Sequence, residues 1–146
     1  MMPRVTTMLL LAVALAPPAS GQVARPAASA LTIGRLHYEG GGDWYANPTS
    51  LPNLLAAIEE RTALPTAGAE RVVRVADPDL WDVPYLYATG HGNISFSDQE
   101  RATLRRWLLQ GGFLHVDDNY GLDVSWRREV AKLFPDRPLV EVPLDH

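Results

Sequence analysis

His91 sits between two glycines in the run Thr89-Gly90-His91-Gly92. An imidazole on so permissive a turn can serve as a general base, a metal ligand or a donor to an anion, and it can equally pin its own loop through hydrogen bonds. Asp117 and Asp118 offer hard oxygen ligands for a divalent ion, or a pair in which one carboxyl keeps its proton because repulsion forbids both to lose theirs. Successive strand residues face opposite ways, so the two carboxylates share a site only if their strand has already ended. The plainer role for such aspartates is to cap backbone amides at a turn. Asp43, Trp44 and Tyr45 follow three glycines, and their rings could stack on a sugar or another flat ligand while Asp43 orients hydroxyls. The alternative is a loop folded onto the end of the sheet, with Trp44 as a packing anchor. His37 and Glu39 alternate at the end of an apolar run, and His115 alternates with Asp117, which makes a same-face structural pair natural.

Other chemistries are excluded or lose support. The chain has no cysteine, which removes disulfides, thiolate metal sites and thiol nucleophiles. A net charge of −4 leaves no basic surplus to neutralise phosphates, so nucleic acid is not an expected partner. No serine elbow, phosphate-binding loop, dinucleotide fingerprint or paired-histidine zinc motif is present, and no cofactor is evident.

Around these residues the chain alternates between strand and helix. Leu31 to Leu36 reads as a first strand leading into the glycine-rich turn, and Leu51, Leu54, Leu55 and Ile58 give a helical stripe behind a cap at Ser50. Arg71 to Val75 is a second strand, followed by a capped turn at Asp77 to Trp81. Tyr85 to Ala88 is a third strand, ending at the His91 turn. Ser97 and Glu100 form a capping box for a helix with Leu104, Trp107 and Leu108 inward, stopped by Gly111-Gly112. Phe113 to Val116 is a fourth strand, delivering Asp117, Asp118 and Asn119 at its end. Asp123 or Ser125 caps a third helix with Trp126, Val130, Leu133 and Phe134 inward, and Leu139 to Val142 reads as a fifth strand. Trp81, Trp107 and Trp126 are expected in the core.

Short apolar strands separated by helices imply an α/β fold: a doubly wound, mostly parallel five-stranded sheet with helices on both faces. Ligands of such sheets bind outside the carboxyl ends of the strands at a topological switch point, which selects the loops that begin at His37, Thr89 and Asp117.

Residues 1–21 read as a secretory signal peptide, with Arg4 as the positive region, Met8 to Ala16 as a short apolar stretch and Ala19-Ser20-Gly21 as the cleavage region. The apolar stretch is about half of the roughly 20 residues a spanning helix needs, so an uncleaved membrane anchor is the weaker alternative. Residues 22–30 read as a flexible lead-in and residues 31–146 as one domain. The expected location is therefore the periplasm, with no membrane span after cleavage.

Tyr38 with Gly40-Gly41-Gly42-Asp43-Trp44-Tyr45, then Thr89-Gly90-His91-Gly92, then Gly111-Gly112-Phe113 with Asp117-Asp118, together resemble DUF4159, a bacterial family of unknown function. The resemblance implies a fold similar to class I glutamine amidotransferases and flavodoxin-like domains, without supplying an activity. Where amidotransferases carry a cysteine nucleophile on a strand-end turn, this chain carries Asp117, Asp118 and Asn119, which excludes glutamine hydrolysis by that route. Relatives normally continue past residue 146, so the resemblance also implies either a fragment or a gene product shortened at the C-terminus. Two functions stand against each other. The favoured one is a noncatalytic cell-envelope module that binds a small polar ligand or an envelope protein through Gly41, Gly42, Asp43, Trp44, Tyr45, Gly90, Gly92 and Asn119. The alternative is a hydrolase using His91 with Asp117 or Asp118, with or without a divalent metal.

Overall fold

The computed structural model describes residues 30–146; the expected signal peptide and most of the expected lead-in lie outside the described residues. In chain order the elements are β1 (Ile33–Leu36), α1 (Ser50–Arg61), β2 (Arg71–Val73), a 3₁₀ turn (Pro78–Asp82), β3 (Tyr85–His91), α2 (Asp98–Leu109), β4 (Phe113–Tyr120) and α3 (Asp123–Leu133). The four strands form a parallel sheet in the order β2-β1-β3-β4. The alternation read from the sequence thus yields the α/β architecture expected of it.

The period of two along β3 divides the core. Leu86 and Ala88 face one side and join Leu36, Leu104, Trp107, Leu122 and Leu133 under α2 and α3. Tyr87 faces the other side and packs with Ile33, Leu51 and Leu55 of α1. Each of these leucines is essentially sealed from water, which is worth about 1.5–3 kcal/mol apiece. At the start of α2 the capping box forms as the sequence indicates, Ser97 Oγ accepting from the Glu100 amide at 3.2 Å and Glu100 Oε2 from the Ser97 amide at 2.8 Å.

Several expectations are corrected. The sheet has four strands, because Leu139–Val142 is unpaired and exposed. Pro135 and Pro138 stiffen the link that precedes this segment, and Leu139, Val140 and Glu141 lie beside Arg127 of α3. Among the described residues Phe113 and His115, on the α1 side of β4, are left exposed, so a strand laid there would bury one face only, against an ordering cost of about 1–2 kcal/mol per residue. The cap of α3 is neither Asp123 nor Ser125 but the carboxylate of Asp118, reaching forward from β4. Ser50 begins α1 behind Thr49 and bonds the Asn47 carbonyl, with no side-chain cap on the helix. Leu54 and Trp81 are exposed, the latter beneath the Arg106 guanidinium at 5.0 Å.

Candidate functional site

β1 continues to β2 on one side while β3 lies on the other, so α1 and α2, which follow β1 and β3, pack on opposite faces and the switch point lies between these two strands. The loop after β1 folds directly over the end of β3. Tyr38 is buried, and its hydroxyl donates to the Thr89 carbonyl at 3.0 Å. Burial, helped by the nearby Asp43 carboxylate, pushes the Tyr38 phenol up to about 12, so it remains a donor. The Gly42 amide donates to the Asn93 carbonyl at 2.9 Å, the Ser95 amide to the Glu39 carbonyl at 2.8 Å, and the Asn93 side-chain amide to the Gly40 carbonyl at 2.9 Å. The two loops therefore run against each other as a short antiparallel pair.

This contact explains two of the glycines. A Cβ on Gly90 (φ +142°) would stand 2.4 Å from the Tyr38 hydroxyl and 2.8 Å from Asp43 Oδ1. A Cβ on Gly42 would stand 2.8 Å from both the His91 and the Asn93 carbonyl oxygens. Both positions require glycine for close backbone approach, whereas Gly41 opens onto empty space.

Asp43 is brought by this packing onto His91. One carboxylate oxygen accepts the His91 backbone N–H, and Oδ2 lies 2.9 Å from ring Nδ1. The backbone N–H is the main reason the Asp43 carboxyl titrates below its ordinary value; desolvation works against it, and the ring adds to the lowering. A carboxylate can only accept, so Nδ1 carries a hydrogen, and in the neutral ring Nε2 is the nitrogen that keeps its lone pair. The His91 side chain is 57% exposed, which leaves Nε2 accessible to a ligand. Among the described residues, no hydroxyl bonds this ring.

The other residues singled out from the sequence have different placements. β4 runs through to Tyr120, so Asp117 and Asp118 do lie on opposite faces. Asp117 accepts from the Tyr87 hydroxyl at 2.8 Å, while Asp118 is occupied by the Leu122 and Asp123 amides at 2.8 and 3.1 Å. Neither carboxylate hydrogen-bonds His91. His115 meets the Tyr85 hydroxyl at 2.8 Å rather than Asp117. Trp44 stacks on His37, with ring centroids 4.0 Å apart and planes at 19°, and Tyr45 stands edge-on to it and exposed. Gly92 donates to the Tyr120 carbonyl at 3.1 Å, tying the His91 turn to the end of β4.

Two residues that sequence reasoning passed over organise the rim. Arg35, 3% exposed, bonds Glu70 at 3.1 Å and the carbonyls of Ala46 and Asn47 at 2.8 and 3.2 Å. Asn47, held at φ +54°, presents its side-chain amide to Asn119 Oδ1 at 3.0 Å. The available signal was an arginine inside the otherwise apolar run Ile33-Gly34-Arg35-Leu36. Among the described residues no group of three or more histidine or acidic side chains is gathered to hold a metal ion.

The profile of the domain of unknown function DUF4159 matches residues 32–146. The chain belongs to that family. The glycine-rich loop, the His91 turn and the β4 end all fall within the matched part of this DUF4159 domain. A search of curated proteins finds no match.

Proposed function

We propose that this DUF4159 chain is an exported, noncatalytic binding module that holds a small polar ligand, or a polar group of an envelope protein, at the imidazole of His91. The observation that carries the reading is the double grip of Asp43, on the His91 backbone and on its ring. A ring fixed at Nδ1 and exposed at Nε2 is a preorganised acceptor, and preorganisation lowers the entropic cost of binding. Asn119, Asn47 and the exposed edge of Tyr45 supply further polar and aromatic contacts around the same strand ends. Export rests on the character of residues 1–21. Among the described residues no helix is long and apolar enough to cross a membrane.

The same geometry favours a second reading, hydrolysis with His91 as general base toward water, oriented by Asp43 instead of Asp117 or Asp118. Binding and turnover separate the two. Thermal unfolding against a panel of sugars, carboxylic acids and phosphorylated small molecules should show a ligand-specific rise that His91→Ala removes. Turnover of ester, glycoside or amide substrates by the wild type, abolished in His91→Ala, would instead establish the enzyme.

A further inference from the structure

The segment between β3 and α2 is held on two sides. Toward the glycine-rich loop, the Asn93 carbonyl accepts the Gly42 amide at 2.9 Å, the Asn93 side-chain amide donates to the Gly40 carbonyl at 2.9 Å, and the Ser95 amide donates to the Glu39 carbonyl at 2.8 Å. Toward α3, Ser125 Oγ accepts the Ile94 amide at 3.0 Å, while Arg128 Nη2 donates to Asn93 Oδ1 at 3.1 Å and to the Ile94 carbonyl at 3.0 Å. The guanidinium is itself aimed by Glu129, whose side chain is 1% exposed and whose carboxylate accepts from Arg128 Nε at 3.1 Å, Lys132 Nζ at 3.0 Å and Arg101 Nη1 at 3.2 Å.

A guanidinium only donates, so the end of the Asn93 amide that meets Arg128 is its oxygen, and the nitrogen is left to face the Gly40 carbonyl. With the amide turned round, an NH2 group would oppose the guanidinium and an oxygen would oppose the carbonyl, and both bonds would be lost. Gly40 and Gly42 lead directly into Asp43, so the seat of its carboxylate on His91 depends on which way Asn93 is turned. Among the described residues the side-chain bonds of Arg128 reach neither Asp43 nor His91.

We propose that Arg128 is a positioning residue of the His91 site: acting through Asn93, it sets where the glycine-rich loop carries Asp43 onto the imidazole. The inference rests on the reading of His91 as the group that holds a ligand. Lys132 supplies the control, because it bonds the same Glu129 carboxylate and no group of the loop.

Long-range ¹H–¹⁵N NMR of the His91 ring without ligand, alongside thermal unfolding, tests this in Arg128→Ala, Arg128→Lys, Asn93→Ala and Lys132→Ala. Arg128→Ala and Lys132→Ala each leave Glu129 two of its three cations, and both should lower the melting temperature. Only Arg128→Ala should change the ring, from hydrogen on Nδ1 alone to a mixture of both tautomers, and speed exchange of the Gly42 amide about tenfold. Arg128→Lys keeps the charge without the fork and should not restore the wild-type ring. Asn93→Ala breaks the link with Arg128 still in place, should reproduce the mixed ring, and carries the test if Arg128→Ala does not fold. A folded Arg128→Ala protein with the wild-type ring overturns the proposal, and so does an unchanged ring in Asn93→Ala or an equal disturbance in Lys132→Ala. Because the ring is read without ligand, a wild type that binds none of the sugars, carboxylic acids or phosphorylated small molecules overturns the binding reading and leaves the positioning role of Arg128 standing.

Discussion

The carboxylate of Asp43 grips His91 twice, through the backbone N–H and through Nδ1, although 48 residues separate the two in the chain. The contact exists because two glycine-bearing loops pack at the switch point of the sheet, and it turns an exposed histidine into an oriented one.

Gly90→Ala forces a methyl group to within 2.4 Å of the Tyr38 hydroxyl in a backbone conformation that L residues avoid. The overlap alone is expected to cost about 1–3 kcal/mol, with backbone strain added. Gly41→Ala meets nothing within 4 Å at φ +90° and should cost only the conformational part, about 1–2 kcal/mol. Urea unfolding of the two variants measures the difference, and equal losses would contradict the loop packing.

Arg35→Ala leaves Glu70 and two loop carbonyls without their buried partner, a loss expected at about 3–5 kcal/mol. Arg35→Lys should recover only part of it, because one ammonium cannot reproduce the planar fork that reaches Glu70, Ala46 and Asn47 together. Chemical denaturation gives the stability. Accelerated amide exchange around Asn47 would report release of the rim.

Asp118→Ala removes the only side-chain cap seen at the start of α3 and should cost about 1 kcal/mol. Asp117→Asn keeps an acceptor for the Tyr87 hydroxyl and should leave stability nearly unchanged. Neither change should abolish ligand binding at His91. Loss of binding in Asp118→Ala with the fold intact would restore that carboxylate to the site.

His37 gives the pH dependence. Desolvation first, and then the Arg74 guanidinium 2.8 Å from Nε2, hold this ring below its ordinary value of 6.5, against the smaller opposing pull of Glu39 and Asp77. The unfolded chain therefore takes up this proton before the folded one does. The His37 contribution to stability is complete above about pH 6.5 and is lost as the pH falls through that value toward the lower folded one. The stacked Trp44 reports it: its fluorescence should change on acidification with a midpoint below 6.5 in the wild type and not in His37→Gln.

Local signals were legible in the sequence and distant ones were not. The Ser97–Glu100 box, the α1 stripe at Leu51 and Leu55 and the apolar runs of β1 and β3 depend on neighbours a few residues apart, and they folded as their spacing indicated. The glycines at 42 and 90 marked the site, but sequence could not distinguish contact with a ligand from contact with Tyr38 and Asp43. His91 was likewise legible as a candidate, while its partner was sought among the aspartates of β4 because Asp43 is joined to it only through the sheet topology. β3 and β4 extend past the expected ends at Ala88 and Val116, since ladder pairing across Thr89–Asp117 and Gly90–Asp118 overrides the weak strand propensity of glycine and aspartate. The Leu139–Val142 run has strand character without a paired edge, which local pattern alone does not reveal.

Whether Asp43 fixes the His91 ring with Nε2 free can be read by long-range ¹H–¹⁵N NMR of the imidazole in wild type and Asp43→Asn at a pH where the ring is neutral. The wild-type hydrogen is expected on Nδ1, with an unprotonated Nε2 whose resonance moves when a bound ligand is added. In Asp43→Asn the tautomer should shift toward Nε2–H, and ligand affinity should fall. A wild-type ring with its hydrogen on Nε2, or one unchanged by loss of the Asp43 charge, would mean that Asp43 does not set the orientation of His91.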